Sequence, residues 1–556
     1  MEKILIYQVL PRLFGNTKKK QVFNGSIEEN GCGKLNDFTK ERLKQIKELG
    51  ATHIWYTGVI EHATQTDYSS YGIKKDHPAI VKGKAGSPYA IKDYYDIDPD
   101  LACDVKKRMK EFEALINRTH KEGLKAIIDF VPNHVAREYY SDAKPKNVKD
   151  LGEDDVKEVF FFNQNNFYYL VNESLEGRFD MQGGAEKPYS ETPCKATGNN
   201  YFANNPGIYE WYETVKLNYG IDYRNNQYQD FSPIPNTWLK MRDILLFWCS
   251  KNVDGFRCDM AEMVPVAFWA WVIPIIKESY PNIIFIAETY DPNQYRQYIF
   301  DGKFDYLYDK VGLYDKLREI MRNEGACHDI TGIWQQLDGI EEHILNFLEN
   351  HDEQRIASPF FAGKAEKGIP AMIISSTLNT GAVMIYNGQE FGEEAKGEKG
   401  FSGDDGKTTI FDYAAIPTVQ RWLSGELRKG EISLQQFYTK LLNICKNEKA
   451  IRKGNFFDLQ YVNFNNPFFN TIKQYAYLRK KENELILIIS NFEDFDVSLQ
   501  INLPIHAFEL LGIENNQERK YTDLLTNKSG KQLFSSESPF SIKVKKNNGV
   551  ILKFLL

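Results

Sequence analysis

The sequence predicts an α/β fold: a TIM (β/α)8 barrel with an inserted irregular domain after strand three and a C-terminal antiparallel β-sandwich. Three observations carry this reading. Short apolar runs alternate with helical patterns through roughly the first 440 residues. One interval, His134 to Asn236, breaks that alternation with Asn, Tyr, Gly and Asp-rich sequence. Beyond about residue 450 the helical period disappears and alternating strands take over.

The predicted barrel strands lie near 4–8 (ILIYQ), 53–57 (HIWYT), 124–130 (LKAIIDF), 253–258 (VDGFRC), 283–288 (IIFIAE), 304–308 (FDYLY), 345–349 and 382–386 (AVMIY). They are short, apolar and rich in β-branched or aromatic residues, as strands buried on both faces should be. Helical patterns separate them at 39–49, 105–121, 236–251, 265–279 and 437–447. Eight strands with intervening helices imply a closed parallel sheet. The interval after strand three is far longer than an ordinary βα loop. A second long loop follows strand two (58–104). At the C-terminal end, TIKQYAYLRK, ELILIISNF, VSLQINLP, FSIKVKK and GVILKFLL alternate between turn residues, which predicts the sandwich. The domains expected are 1–134 and 236–449 for the barrel, 135–235 for the insertion and 450–556 for the sandwich.

The chain has 556 residues and a formal net charge of −7, and no basic patch of the kind that nucleic-acid or anionic-membrane binding requires. No apolar stretch reaches the length of a membrane-spanning helix. Seven cysteines, scattered and without CxxC, argue against a disulfide framework or a zinc site. The N-terminal apolar run is too short for a signal sequence. These features lead to the expectation of a cytoplasmic protein, or a periplasmic or secreted one if a leader was removed before numbering. Oligomeric state is not legible in the sequence.

Three acids close apolar runs: Asp259 in VDGFRCD, Glu288 in IIFIAE and Asp352 in LENHD. The gaps are 29 residues (288 − 259) and 64 residues (352 − 288). One strand–helix unit of such a barrel takes roughly 30 residues, so the acids fall one and then two units apart on the rim where barrel active sites form. Two carboxyl groups flanking a bond are what glycoside hydrolysis requires. Arg257, two residues before Asp259 on the same strand face, would keep that carboxylate ionised. Glu288, ending an apolar strand, is expected in an apolar setting that raises its pKa, as a general acid needs. Each residue alone also reads as a structural pair or a hydrogen-bonded strand end. Four polar clusters at barrel spacing, including DFVPNH, are hard to explain as packing.

The four segments resemble the signature regions of the α-amylase family of glycoside hydrolases. DFVPNH is similar to its D-x-x-x-N-H, GFRCD to G-x-R-x-D, IAE to the acid/base strand and ENHD to the N/H-H-D region. IYQVLPRLF, SPYAIKDYYDIDP and YNGQEFG extend the likeness from about residue 4 to 450. The resemblance implies a retaining enzyme in which Asp259 attacks the anomeric carbon and Glu288 protonates the glycosidic oxygen, then activates water. Asp352 would bind the distorted sugar. Arg257 would orient Asp259, His134 and His351 would hydrogen-bond sugar hydroxyls, and Tyr89 would stack on the ring. Asp129 and Glu390 read as structural. Met263 and Glu262 depart from the His and Lys of many animal and fungal members. Asn133 matches a calcium ligand of typical members, so calcium is the candidate ion, with a hydrogen-bonded strand-end role as the other reading. No organic cofactor is expected.

The implied substrate is an α-glucan oligo- or polysaccharide: starch, glycogen or maltooligosaccharides, cleaved chiefly at α-1,4 bonds. A transglycosylase or isomerase of the same fold, trehalose synthase-like, is the alternative within the family. A non-catalytic carbohydrate-binding relative is the alternative outside it, and such relatives lose one or more of the three acids.

Overall fold

Strands buried on both faces need apolar residues at nearly every position, and eight such runs close into one parallel barrel in the computed structural model, which describes residues 3–556. They are β1 (Leu5–Val9), β2 (His53–Tyr56), β3 (Lys125–Phe130), β4 (Gly255–Cys258), β5 (Ile284–Ala287), β6 (Tyr306–Tyr308), β7 (Ile344–Asn346) and β8 (Ala382–Tyr386). Each strand neighbours the next in sequence, and β8 returns to pair with β1. The register places Arg257 on β4 beside Asp129 on β3 and Ile286 on β5. Asp259 and Glu288 each follow a strand end by one residue. Asp352 does not close its strand, as the sequence reading had it. β7 stops at Asn346, and Asp352 lies six residues further on (352 − 346), in a turn where the Asn350 side chain accepts the Asp352 N–H at 2.8 Å.

The helices that return the chain show their boundaries in the residues. Lys40–Leu49 is capped by the Thr39 hydroxyl and buries Leu43, Ile46 and Leu49. It ends at Gly50, whose φ of 122° and close approach to Leu442 leave no room for a side chain. Asn236–Ser250 buries Trp238, Met241, Leu245 and Trp248, one stripe at helical spacing. The helix read as 437–447 begins earlier, at Lys429.

Between β3 and Asn236 the chain forms only short strand pairs: His134–Ala136 with Thr214–Lys216, Tyr169–Leu170 with Cys194–Lys195, and Ile221–Asp222 with Tyr228–Gln229. Arg137, wholly buried, ties the first two pairs together by donating to the Thr214 and Lys195 carbonyls, both at 3.3 Å, and to the Tyr212 carbonyl and the Glu191 carboxylate, both at 2.8 Å. The loop after β2 contains a strand pair of its own, Ile60–His62 with Ile91–Ile97.

At the C-terminal end a six-stranded antiparallel sheet runs in the order Asn455–Asp458, Gln474–Lys481, Glu484–Asn491, Asn548–Leu555, Gln517–Asp523, Ser529–Phe534. It shares one core with the pair Val497–Ile501 and Phe540–Val544 and the helix Ile505–Leu511. Phe469 joins that core, whereas Phe468 is exposed. Buried Arg479 donates to the Leu378 carbonyl at 2.8 Å, and the Tyr477 and Thr377 hydroxyls meet at 2.5 Å, joining this unit to the barrel. Among the described residues no helix is long and apolar enough to cross a membrane.

Candidate active site

The sequence places one guanidinium among acids, and the fold makes it the hub of the site. Arg257 is fully buried. Its Nη1 donates to Asp259 Oδ1 at 2.7 Å and lies 3.6 Å from Asp129 Oδ1, while Nη2 lies 2.5 Å from Glu288 Oε1. Its Nε donates to the Tyr308 hydroxyl at 3.2 Å. The rings of Trp55 and Tyr89 lie 5.3 and 5.2 Å from the guanidinium carbon, so aromatic faces enclose the charge where carboxylates do not. A buried cation this well paired is held rigidly, and breaking one side of the network would leave buried charge uncompensated.

Asp259 is 5% exposed. Its Oδ1 is fixed by Arg257, but Oδ2 is buried and accepts no hydrogen bond. His134 Nε2 lies 3.9 Å from Oδ2. Burial pushes the Asp259 carboxyl well above the usual range, the guanidinium opposes that shift, and the neighbouring Glu288 charge adds to it. One oxygen is therefore locked and the other left with free lone pairs.

Glu288 is 2% exposed. The apolar setting expected for it is not what surrounds it. The Met260 N–H donates to Oε2 at 2.7 Å, the Tyr290 hydroxyl donates to Oε1 at 2.9 Å, and Arg257 meets Oε1 as well. The sequence reading missed Tyr290, although its position two residues after Glu288 was a usable signal. Glu262 in turn accepts the N–H groups of Tyr290 and Asp291 at 2.8 and 3.1 Å, which fixes the loop that carries Tyr290.

Asp352 is the most open of the three acids. Its Oδ2 lies 2.9 Å from His351 Nε2. Although burial acts to raise its carboxyl, the adjacent His351 and the Arg257 charge bring it down to about 2. His351 is oriented from both sides: Gln8 Nε2 lies 2.8 Å from Nδ1, and the Tyr89 hydroxyl lies 2.5 Å from Nε2. The Tyr89 ring sits tilted against His351, with centroids 5.2 Å apart. His134 packs against Trp211 of the insertion at 5.1 Å, and burial with the nearby Lys216 charge holds its pKa at about 3, so the ring is neutral. Thus Asp259, Glu288, Asp352, Arg257, His134, His351 and Tyr89 gather in one place.

Two further acids stay structural. Asp129 Oδ2 accepts the Gly58 N–H at 2.9 Å, bracing the end of β2. Glu390 accepts the Tyr7 hydroxyl at 2.8 Å and the Gly388 N–H at 2.9 Å, beneath β1 and β8.

Asn133 departs from the calcium-ligand reading. Its Oδ1 accepts a very short hydrogen bond from Lys216 Nζ, and its Nδ2 donates to the Gly198 carbonyl at 2.8 Å. Lys216 also donates to the Met263 carbonyl at 3.1 Å. The Lys216 amine thus occupies the oxygens a divalent cation would need; burial lowers its pKa to about 7, and its charged form repels such a cation. Asn133 is the hydrogen-bonded strand-end residue of the alternative reading. Its partner lies in VKLNYG, within irregular sequence where no periodicity points to it.

A family profile described as "Alpha amylase, catalytic domain" matches residues 8–414. The chain belongs to the α-amylase family. It is a glycoside hydrolase, and the barrel and appended antiparallel sheet are those of the α-amylase fold. Alpha-amylase 3 of Dictyoglomus thermophilum is 24% identical over 545 residues, covering 93% of this chain and 90% of that protein. Alpha-amylase 2 of the same organism is 22% identical over 512 residues, covering 90% and 71%. The crystal structure of the maltogenic α-amylase AmyB from Thermotoga neapolitana aligns with a TM-score of 0.63 at 20% identity, over 100% of this chain and 99% of that one. This α-amylase family member therefore shares its architecture with the amylases over nearly the full length, while most of its residues differ from theirs.

Proposed function

We propose that this enzyme hydrolyses α-glucosidic bonds, chiefly α-1,4, in starch, glycogen or maltooligosaccharides, with retention through a covalent glycosyl-enzyme. The observation that carries the reading is the asymmetry of Asp259: one oxygen locked on Arg257, the other buried and without a partner. A nucleophile needs an oriented carboxylate with a free lone pair. In the first step Asp259 Oδ2 forms a bond to the anomeric carbon as the glycosidic C–O bond breaks, and Glu288 gives its proton to the departing oxygen. In the second step Glu288 takes a proton from water, water oxygen bonds to the same carbon, and the bond to Asp259 breaks. Two inversions leave the configuration unchanged. Retaining enzymes hold these carboxyl groups about 5–5.5 Å apart, and Asp259 and Glu288 contact two nitrogens of one guanidinium. Asp352, ionised down to about pH 2, faces the developing positive charge of the oxocarbenium-like state. His134, neutral, offers a ring nitrogen to a hydroxyl of the same sugar, His351, held by Gln8 and Tyr89, positions Asp352 beside it, and Tyr89 offers a face to stack on it.

The test is product analysis. The purified enzyme is incubated with maltoheptaose, pullulan and maltose, with anomers followed by NMR at early times. Short maltooligosaccharides released first as α-anomers are expected. Longer chains or a rearranged disaccharide would move the assignment to transfer or isomerisation, and no turnover of any α-glucan would remove α-glucans from it.

The acid limb of activity follows from the same contacts. Asp259 must be ionised in the free enzyme, and Arg257 is what lowers its pKa. Arg257→Lys replaces a forked donor with a point charge that cannot span both acids. The Asp259 carboxyl then rises further, and the acid limb of kcat/KM moves to higher pH. Asp352→Asn should move that limb the other way, to lower pH, because the Asp352 charge helps to raise the Asp259 carboxyl. A limb that moved with Asp352 and not with Arg257 would assign the essential base wrongly.

A further inference from the structure

Away from the active site, four carboxyl groups converge at the root of the insertion. Glu61 lies on the strand Ile60–His62, Asp93 and Asp96 on its partner Ile91–Ile97, and Asp142 in the segment that leaves β3 for the insertion. One oxygen from each lies within 4.8 Å of all the others. That is the width of a coordination sphere with metal–oxygen distances of about 2.4 Å. Glu61, Asp93 and Asp96 are buried and Asp142 is exposed.

Closeness alone is common among acids. What sets this group apart is that Glu61, only 1% exposed, has an Oε2 that accepts no hydrogen bond. An unpaired buried carboxylate oxygen among three more carboxylates is costly unless a cation or a proton sits there. The other members are partly supplied. Asp93 accepts from the Ser141 hydroxyl at 2.6 Å and from the N–H groups of Tyr95 and Ala143 at 2.8 and 3.0 Å. Asp96 accepts from Arg108 Nε at 2.9 Å, Arg108 Nη2 at 2.5 Å and the Ile97 N–H at 2.7 Å. An ionised carboxylate has about four acceptor positions, so each keeps one to offer. Arg108 neutralises one of the four charges, and Lys92, the other cation near Glu61, is engaged by Asp76 at 3.0 Å.

We propose that Glu61, Asp93, Asp96 and Asp142 bind a calcium ion that fastens the insertion to the strand pair after β2. An all-oxygen, carboxylate-rich and irregular cage suits calcium; magnesium demands a near-ideal octahedron and keeps most of its water. The ion would stabilise the two segments that deliver the substrate-facing groups, since Tyr89 precedes the strand of Asp93 and His134 precedes the segment of Asp142. It is distinct from the Asn133 position, whose oxygen the Lys216 amine already engages.

The full chain, stripped with EDTA and desalted, is titrated with calcium chloride and separately with magnesium chloride by calorimetry, and its melting temperature is followed alongside. The expected result is one saturable calcium site per chain, a rise in melting temperature on calcium addition, and weaker magnesium binding. Asp142→Asn, at an exposed position that leaves the buried acids in place, should lower calcium affinity at least tenfold, as should Glu61→Gln. No saturable calcium binding by the wild type would overturn the proposal. So would binding that Asp142→Asn leaves unchanged, or magnesium binding tighter than calcium. A stripped Glu61→Gln protein that melts with the wild type, both indifferent to calcium, would show that Glu61 holds a proton instead.

Discussion

Asp259→Asn is expected to lower kcat on maltooligosaccharides by on the order of 10⁴-fold or more, as loss of a covalent nucleophile does elsewhere. Asparagine keeps the shape and can still accept from Arg257 through its carbonyl, so folding should survive. It supplies no anionic oxygen at the position of Oδ2, the atom that has no partner. A fall in kcat from a merely structural Arg257–Asp259 pair would look different, because it would come with a lower melting temperature. Asp259→Gly separates the two further. The glycine variant opens space beside the anomeric carbon for azide, which can displace fluoride from an α-maltosyl fluoride. The carbon–fluorine bond breaks, a carbon–nitrogen bond forms on the opposite face, and the product is the β-azide. Formation of that inverted product only in the variant would identify Asp259 as the missing nucleophile. An active Asp259→Asn enzyme, or an α-azide, would sink the assignment.

Much of this site is legible in the chain because barrel chemistry ties function to periodicity. A residue just past a buried strand is at the rim, so Asp259 and Glu288 could be located from FRCD and IAE, and Arg257 followed from strand alternation. Asp352 is less regular: β7 stops early and a turn carries the chain six residues further to it. The setting of Glu288 was not legible either. Its donors are a backbone N–H in a left-handed turn at Met260 and a hydroxyl on a loop, and neither has a sequence period. The Lys216–Asn133 pair joins positions 83 apart, one of them inside irregular sequence. At the C-terminal end, Gln517–Asp523 and Ser529–Phe534 escaped notice because they are polar and half-exposed, as the outer strands of a sheet are when edges are kept soluble. Glu484–Asn491 and Asn548–Leu555, which pair with each other in the middle of the sheet, stood out because the sheet buries them.

Glu288→Gln is expected to reduce kcat on maltooligosaccharides by about 10²–10⁴-fold, the usual contribution of a positioned general acid–base. The same variant should lose far less in the first step on α-maltosyl fluoride, because fluoride leaves without a proton. The glycosyl-enzyme would then accumulate, since its hydrolysis still needs Glu288 as base, and KM for the fluoride would fall along with kcat. The two donors to Glu288 and the Arg257 contact sharpen the test. The Met260 N–H and the Tyr290 hydroxyl each donate to a different oxygen, and the glutamine amide presents one oxygen and one NH2 where the carboxylate presented two oxygens. Some of the loss therefore reflects misplacement, and Glu288→Ala, which removes the group entirely, measures how much. Added azide can reach the anomeric carbon of the accumulated intermediate in the alanine variant and needs no base, so it should restore turnover and give an α-azide, opposite in configuration to the product of Asp259→Gly. Equal losses on the fluoride and on maltooligosaccharides, with no azide effect, would mean that Glu288 holds Arg257 in place and does not transfer a proton. The two configurations from two variants of one enzyme are what distinguish a double displacement from every single-step alternative.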